Sequence, residues 1–378
     1  MPYRTSYWEQ TTFLRSPDVL IVGAGLTGLQ AALALKREAP MLEVLVVERA
    51  PIPRGASTRN AGFACFGGPT ELLADIDAYG ESAVLETVRK RYAGIQALER
   101  NYAGQDIDWH KLGGYELVDE AEKKTMVLER LPALNRLLRE VTGLEETWSV
   151  KEDAGYFAGK PLLLGNPLEA QLHPGKLVHL LLAKAQQAGV RFLFGTKVEK
   201  ITDGTAQLSE LGILRARQIL VTVNAFAREL LSDDFPEDIR PVRNQVLLSR
   251  LLPGFSLKGC YHYHEGYVYF RNLGSRRLLI GGARHRAGAD SETKQFGHNP
   301  VPEAFLLEKL RQWLPQYEWL PEEFTYRWSG IIAQGEGKTP ILRYATENVL
   351  VAGRLAGMGV ALSADLATRA AAMLLTER

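Results

Sequence analysis

The sequence has few cysteines, no long apolar run and almost no net charge. Its two cysteines, Cys65 and Cys260, exclude a multi-disulfide scaffold and a four-cysteine zinc site. Such low cysteine use fits a reducing compartment, so we expect a cytoplasmic protein. The longest apolar stretches fall far short of the roughly 18 residues of a transmembrane helix. The first 19 residues are polar and aromatic, and we expect no signal peptide.

The charge balance argues against a nucleic-acid partner. Lys and Arg number 45 and Asp and Glu 44, a net charge of +1, so no basic excess is present to bind a phosphate backbone. A chain of 378 residues that is 46% hydrophobic and 24% charged is globular and long enough for two domains. We therefore expect a small-molecule ligand, and the sequence leaves the oligomeric state open.

A strand, a glycine turn, a helix and a second strand follow one another near the start of the chain. The strands are short, apolar and rich in β-formers, as in a buried parallel sheet, and the helix is rich in strong helix formers. This is the βαβ unit of a right-handed crossover. The four elements are predicted over Asp18–Val22, Gly23–Gly28, Leu29–Lys36 and Leu42–Glu48.

The turn of this unit has the glycine spacing of a dinucleotide-binding site. Gly23, Gly25 and Gly28 form G-x-G-x-x-G, which allows a tight turn, close approach of a pyrophosphate and close helix–strand packing. The helix N-terminus then offers amide groups to the phosphates. Glu48 ends the second strand, where a carboxylate accepts hydrogen bonds from an adenosine ribose. This unit alone does not distinguish between NAD and FAD as the cofactor.

Two further stretches favour FAD over NAD. The loop from Arg49 to Phe63 is mostly small and polar, and can lay backbone amides along a large flat ring. Near the end of the chain, the strand Val349–Ala352 runs through Gly357 and Gly359 into a helix, whose N-terminal dipole favours the anion formed when a flavin is reduced. The alternative for this second turn is an ordinary glycine-rich corner.

The rest of the chain alternates between helical and strand patterns. Helices are predicted over Glu71–Tyr79, Ser82–Arg100, Glu120–Val141, Pro174–Ala188, Pro302–Trp313 and Ser363–Thr376. Strands are predicted over Val190–Gly195, Lys197–Thr202, Ile219–Asn224, Val242–Arg250, Tyr261–Arg271 and Arg277–Gly282. The last three alternate aromatic and polar residues and indicate an antiparallel sheet.

Several motifs together resemble the D-amino-acid oxidase, glycine oxidase and sarcosine oxidase family of FAD-dependent oxidoreductases, over nearly the whole chain. They are Ser6-Tyr7-Trp8, Gly55-Ala-Ser-Thr-Arg-Asn-Ala-Gly62, His173-Pro-Gly-Lys176, Thr222-Val-Asn-Ala225, Arg240-Pro-Val-Arg-Asn-Gln245 and Trp328-Ser-Gly330. The branch that includes γ-glutamylputrescine oxidase is the most similar.

We therefore expect an α/β fold in which a Rossmann-type FAD-binding domain is interleaved with an α+β substrate domain containing an antiparallel sheet. The expected FAD-binding segments are residues 1–75, 155–230 and 325–378, and the expected substrate segments are residues 76–154 and 231–324.

The resemblance implies a set of flavin contacts, residue by residue. They comprise the pyrophosphate turn, the adenosine end, the loop beside the isoalloxazine, one adenine-facing strand residue and the turn at the pyrimidine ring. In that order the residues are Gly23, Gly25, Leu26, Thr27 and Gly28; Glu48 and Arg49; Ala56, Ser57, Thr58, Asn60, Ala61 and Gly62; Val198; and Gly357, Met358, Gly359 and Val360.

The sequence also departs from the family at three places. Ile331 and Ile332 stand where glycine oxidases have an arginine that binds the substrate carboxylate, which favours an amine over a simple α-amino acid. Leu279 stands where sarcosine oxidases have a lysine that promotes the reaction with oxygen. No cysteine follows Trp328-Ser-Gly330, where some relatives tether the flavin, so we expect non-covalent FAD.

Four residues are substrate-binding candidates. Tyr267, Tyr269 and Arg271 alternate and are predicted to share one strand face, and Arg354 follows the last strand. The alternatives are ordinary cross-strand aromatics and a surface charge. His262 and His264 lack an obvious third ligand, so we expect strand-surface histidines and no metal.

The sequence thus predicts an FAD-dependent enzyme that removes hydride from a carbon next to nitrogen. We assign no catalytic acid or base, because the family's amine substrates can bind as neutral amines. The alternatives are a dehydrogenase that passes electrons to a quinone or carrier, a flavin-binding protein without turnover, and an NAD-binding protein.

Overall fold

The computed structural model describes residues 5–152, 156–274 and 276–376. These residues form eight α-helices and 19 β-strands. The helices are α1 (Tyr7–Thr12), α2 (Leu26–Glu38), α3 (Pro69–Tyr79), α4 (Glu81–Tyr102), α5 (Ala121–Thr142), α6 (Pro174–Gln187), α7 (Pro300–Trp313) and α8 (Gly359–Thr376). Among the residues described, no helix is both long enough and apolar enough to cross a membrane.

The strands are numbered in chain order. They are β1 (Val19–Val22), β2 (Val44–Glu48), β3 (Phe63–Ala64), β4 (Gly114–Val118), β5 (Ser149–Val150), β6 (Leu162–Asn166), β7 (Ala170–Gln171), β8 (Arg191–Phe194), β9 (Val198–Thr202), β10 (Thr205–Leu208), β11 (Gly212–Arg215), β12 (Gln218–Val221), β13 (Arg240–Ser249), β14 (Cys260–Tyr263), β15 (Val268–Leu273), β16 (Arg277–Gly282), β17 (Phe324–Gln334), β18 (Ile341–Thr346) and β19 (Val349–Gly353).

The chain divides into two compact units, each built from separate segments. The first unit comprises residues 1–59, 174–242 and 331–378, and the second comprises residues 60–173 and 243–330. The boundaries differ from the expected ones chiefly at residues 60–75 and 156–173, which lie in the second unit. The reason is local pairing, since β3 pairs with β7. The boundary expected at residues 154 and 155 lies outside the described residues.

The first unit is built on a six-stranded sheet of order β18-β19-β12-β1-β2-β8. Strand β1 is parallel to β2 and to β12, with Val19 opposite Val44 on one side and Gln218 on the other. All four residues of β1 are buried. Helix α2 packs beside α6 and α8, and Gln30 of α2 donates to Ser363 Oγ of α8 at 2.8 Å. The predicted βαβ unit is therefore present, with its helix starting three residues early.

The second unit contains most of an eight-stranded sheet of order β17-β13-β16-β15-β14-β4-β6-β5. Its central pairs are antiparallel, as expected, except that β14 and β4 run parallel. Large aromatic side chains fill the core on one side, including Trp313 of α7 and Phe270 of β15, whose rings stack 5.5 Å apart. This packing is what fixes α7 against the sheet.

The single strand predicted over Tyr261–Arg271 is wrong. The segment is a hairpin, in which β14 and β15 pair with Tyr263 opposite Val268. The connecting turn contains three consecutive residues with positive φ, of which Gly266 has φ 75°. Tyr267 closes this turn and does not share a strand face with Tyr269 and Arg271.

Candidate functional site

The glycine turn of the first unit joins β1 to α2 with no room for side chains at its key positions. Gly23 has φ +105°, a conformation that favours glycine. A Cβ atom at Gly28 would lie 2.1 Å from the Gly23 carbonyl oxygen and 2.7 Å from Thr222 Oγ1. Helix α2 can therefore start this close to β1 only with glycine at position 28.

The N-terminus of α2 is held by the loop expected to meet the flavin. Gly25 caps the helix without a side chain, and the Leu26 amide donates to Ser57 Oγ at 2.9 Å. Ser57 lies in a short 3-10 turn, Ala56–Thr58, which Thr58 steadies by donating from Oγ1 to the Pro53 carbonyl at 3.0 Å. The other amides of the first turn and the helix dipole suit an anionic group such as a pyrophosphate.

Glu48 is fixed at the end of β2 by two backbone amides. Its Oε2 accepts from the Ala24 amide at 3.0 Å and its Oε1 from the Ala50 amide at 3.1 Å. The first of these bonds ties the carboxylate directly to the glycine turn. Since each carboxylate oxygen can accept more than one hydrogen bond, both oxygens retain acceptor capacity for ribose hydroxyls.

The other adenosine-end candidates also lie in the first unit. The Arg49 guanidinium lies 3.9 Å from the centre of the Phe226 ring. Val198 is the first residue of β9 and is buried.

The loop predicted to lie beside the isoalloxazine continues into the second unit. Asn60, Ala61 and Gly62 belong to that unit, where Asn60 Oδ1 accepts from the Gly62 amide at 2.8 Å. The structure thus places the predicted contacts of this loop in both units.

The second glycine turn joins β19 to α8. Arg354, Ala356 and Gly357 all have positive φ, at 53°, 47° and 85°. For the two non-glycine residues this conformation is strained, and such strain clusters at ligand sites. Ile332, predicted to stand where glycine oxidases have their arginine, has its Cδ1 3.9 Å from where a Cβ of Gly357 would be. An apolar side chain therefore borders this turn.

The charge of Arg354 is compensated inside the first unit. Its Nη1 lies 3.2 Å from Glu237 Oε2, and its two terminal nitrogens donate to the carbonyls of Asp238 and Thr339, each at 3.1 Å. With 7% of its surface exposed, the side chain supports the strained turn. It remains a prediction as a substrate residue, but these bonds favour a structural role.

Arg271 and Tyr269 lie on one face of β15. Arg271 is buried and donates to the Leu172 carbonyl at 2.9 Å, while its Nε has no hydrogen-bond partner among the described residues. Burial lowers the pKa of Arg271. The half-buried Tyr269 accepts from Asn244 Nδ2 at 3.4 Å, and burial raises the pKa of its hydroxyl. Tyr269 also packs with Phe63 and Trp328 against an apolar cluster that includes Leu279.

Arg284 is a cation that sequence reasoning missed. It follows β16, and its guanidinium lies 4.6 Å from the centre of the Tyr267 ring. The preceding residue, Ala283, is fully buried with φ 59°, a strained conformation for alanine. The only available signal was the Gly281-Gly282 pair before it, which gives no indication of where the arginine side chain would lie.

His262 is buried, and the expectation of a strand-surface histidine is wrong. Its Nε2 lies 3.2 Å from Glu169 Oε2, while Glu169 Oε1 accepts from the Phe66 amide at 3.1 Å. Although burial disfavours a charged ring, the hydrogen bond and charge of Glu169 raise the pKa of His262. With Cys65, these two residues offer three potential metal ligands within 4.8 Å of one another. The Glu169–His262 hydrogen bond gives two of them a partner without a metal.

Fold and site together define a dinucleotide-binding α/β protein, from the parallel sheet, the glycine turn and the fixed carboxylate at the end of the second strand. The sequence matches the DAO family, described as FAD dependent oxidoreductase, over residues 18–373. The chain belongs to this family, and its cofactor is FAD. The expected family and cofactor are thus confirmed, and the NAD-binding alternative is excluded.

Individual relatives agree with the family assignment. The chain is 27% identical over 382 residues to the probable oxidoreductase OrdL of Rhizobium meliloti (strain 1021), covering 92% of this chain and 81% of that protein. It is 23% identical over 342 residues to gamma-glutamylputrescine oxidoreductase of Escherichia coli (strain K12), covering 83% and 73%. The solved L-proline dehydrogenase from P. horikoshii shares the fold, with a TM-score of 0.77, 14% identity and coverage of 96% and 94%.

Proposed function

We propose that this protein oxidises a carbon–nitrogen bond of a small amine or amino-acid-like substrate, with FAD held non-covalently. The observation that carries the proposal is the family match over residues 18–373, together with a relative named for an amine, gamma-glutamylputrescine. The FAD supplies the hydride acceptor when bound. Two free, buried cysteines are consistent with a cytoplasmic location.

The first unit fits the adenosine and pyrophosphate part of FAD. Its glycine turn leaves no space for a Cβ at Gly28, and the first turn of α2, whose cap residue Gly25 contributes no side-chain hydrogen bond, suits a pyrophosphate. Glu48 is oriented by two amides and keeps acceptor capacity for the ribose. In this proposal the chain's own residues bind and orient the cofactor, and the two buried thiols, Cys65 and Cys260, take no part in a covalent link. Burial raises the pKa of both thiols, which keeps them protonated.

The second unit supplies the proposed substrate-binding side chains. Tyr267 and Tyr269 are half-buried, and Tyr269 packs with Phe63 and Trp328. Aromatic side chains of this kind enclose the carbon skeleton of a small substrate and exclude water. Since an amine bound in its neutral form already carries the lone pair that drives hydride removal, the proposal requires no side chain as a base.

The electron acceptor is a second proposal, for which one residue favours a dehydrogenase over an oxidase. Leu279 occupies the position where sarcosine oxidases have a lysine that promotes the reaction with oxygen. It lies in an apolar cluster with Val246 and Leu248, against which Tyr269 packs. A cation beside the flavin would stabilise the negative charge that forms on oxygen, and leucine cannot. We therefore propose a quinone or another carrier as the physiological acceptor.

The test is an anaerobic screen of purified holoprotein against primary amines, N-substituted amines and amino acids, with alcohols and hydroxy acids as comparison substrates. Substrate oxidation bleaches the visible absorbance of the flavin, and the supernatant after acid precipitation should be yellow. Bleaching by an amine supports the proposal. Bleaching only by alcohols or hydroxy acids contradicts it, and a flavin reducible by dithionite but by no substrate class favours a binding protein without turnover.

A further inference from the structure

We propose that Arg284 binds an anionic group, in the first instance a carboxylate, carried by the amine substrate. This inference rests on the proposed function and narrows its substrate class to amines that carry a carboxylate. It also assigns the binding of the anion to a position different from the one that the family's arginine occupies, which is isoleucine in this chain.

Arg284 lacks an anionic partner of its own. Its guanidinium contacts the face of Tyr267, and among the described residues it forms no ion pair or hydrogen bond. Glu71 is the carboxylate whose charge raises the pKa of Arg284, but it already forms an ion pair with Arg91 at 3.1 Å. Burial lowers the pKa of Arg284. A cation–π contact offsets only part of the cost of removing a guanidinium from water, so the site is complete only with an anion.

The other arginines near the candidate residues differ from Arg284 in this respect. Arg354 pairs with Glu237, and Arg91 pairs with Glu71. Arg271 lacks an ion pair among the described residues, but it is 3% exposed and donates to a backbone carbonyl. Arg284 is half-buried, so its fork of donors can reach a ligand that enters from solvent.

The surroundings of Arg284 match an amine that carries a carboxylate. Both Tyr267 and Tyr269 lie close enough to Arg284 to raise its pKa, against the larger lowering effect of burial. Asn244 donates from Nδ2 to the Tyr269 hydroxyl, and its buried Oδ1 has no hydrogen-bond partner among the described residues. An unpartnered acceptor complements an N–H group, and an unpaired guanidinium complements a carboxylate. One substrate with both groups satisfies both.

The backbone before Arg284 is consistent with a positioned side chain. Gly282 has φ +105°, and a Cβ there would lie 2.0 Å from the Tyr267 carbonyl oxygen. Ala283 then adopts φ 59° while its amide donates to that same carbonyl at 2.7 Å. The strained turn thereby ties the start of the Arg284 segment directly to Tyr267, so that arginine and tyrosine are held together.

The experiment measures the binding of matched charged and neutral probes by calorimetry. Holoprotein is titrated with benzoate and benzamide, and with acetate and acetamide. We expect the carboxylate of each pair to bind wild-type protein more tightly than its amide. Arg284→Gln should weaken carboxylate binding roughly ten- to a hundredfold and leave amide binding unchanged. Arg286→Gln is the matched control, since Arg286 is exposed and stacks on Phe305.

Several results would overturn the inference. They are equal carboxylate affinity in wild type and Arg284→Gln, an equal loss in Arg286→Gln, or no preference of wild type for carboxylates over amides. The last measurement needs no variant, and Arg284→Met replaces Arg284→Gln if the latter does not fold. Flavin bleaching by amines is scored separately. Bleaching without carboxylate binding refutes only this inference, and carboxylate binding through Arg284 without bleaching by any amine refutes only the proposed function.

Discussion

The candidate sites of the two units are built in different ways. In the first unit, the proposed nucleotide turn consists of neighbouring residues, Gly23–Gly28, and its proposed binding groups are backbone amides. In the second unit, the proposed substrate site consists of side chains such as Asn244, Tyr269 and Arg284, which come from different strands and turns. A site made of backbone groups tolerates substitution at every position except those of its glycines. A site made of side chains can change its ligand by single substitutions.

The glycine turn should show the largest effect, because the clash at Gly28 is with backbone. Gly28→Ala would place a Cβ 2.1 Å from the Gly23 carbonyl oxygen, and we expect a loss of stability of about 1–3 kcal/mol or more together with most of the bound FAD. Flavin content and thermal unfolding measure both. Gly104→Ala is the control, since nothing lies within 4 Å of its Cβ position and Gly104 lies outside the predicted flavin contacts. A Gly28→Ala protein with full flavin content would contradict this view of the turn.

In the second unit, a buried carboxylate should make stability depend on pH. Burial raises the pKa of Glu116 from 4.5 to about 7, against the effect of hydrogen bonds from Thr70. Between these pH values the folded state holds a proton that the unfolded state has lost. The free energy of unfolding should therefore fall as pH rises through this window, by about 3 kcal/mol in total.

Chemical denaturation of wild type and Glu116→Gln across this pH range measures the effect. The free energy of unfolding of the variant minus that of wild type should increase as pH rises and level off above about pH 7. Glu129→Gln, on the exposed face of α5, should follow wild type. A constant difference between wild type and Glu116→Gln would show that Glu116 does not titrate in this window.

Glu48 tests whether the carboxylate at the end of β2 contributes to the cofactor or only to the fold. Glu48→Ala removes a charge-assisted acceptor, and we expect FAD binding to weaken by roughly 1.5–3 kcal/mol. Reconstitution of flavin-free protein gives the dissociation constant. Asp18→Ala is the matched control, since Asp18 Oδ2 also accepts from a backbone amide, that of Glu43 at 2.9 Å. If both variants bind FAD as wild type does, Glu48 serves the fold alone.

The smallest expected effect concerns the electron acceptor. Reduced protein should reoxidise slowly in oxygenated buffer and quickly with an artificial acceptor. Leu279→Lys should speed the oxygen reaction by about tenfold, equivalent to about 1.4 kcal/mol of barrier. Stopped-flow absorbance follows both reactions, with Leu279→Met as the control for a changed shape without charge. Wild type that reacts equally fast with oxygen would refute the dehydrogenase proposal.

The sequence could predict the first unit better than the second for a physical reason. The G-x-G-x-x-G spacing and Glu48 depend on local backbone geometry, so β1, α2 and β2 follow from neighbouring residues. The hairpin at residues 260–273 does not, because a run of alternating residues has the same pattern whether or not a turn interrupts it. The pattern therefore predicts Tyr267 on a strand, although Tyr267 closes a turn.

The sequence alone also does not show which charged side chains pair in the folded chain. Arg354 was a substrate candidate because it follows a strand, yet its partner Glu237 lies more than a hundred residues earlier. His262 is predicted at the strand surface because the sequence shows no obvious third metal ligand. In the structure it is buried, and Glu169, from the connection between β6 and β7, compensates its burial. The sequence does not indicate Arg284, because only the folded chain shows that no carboxylate among the described residues pairs with it.

Because the two units are interleaved, strands that pair in one sheet are synthesised far apart in time. Strand β1 needs β2 on one side and β12 on the other, but Gln218 leaves the ribosome about 170 residues after Glu48. At roughly 5–20 residues per second, this delay is on the order of ten to thirty seconds. During that time one edge of an entirely apolar strand stays unpaired and open to aggregation. Slower growth at low temperature, or more chaperone, should therefore raise the yield of protein able to bind flavin.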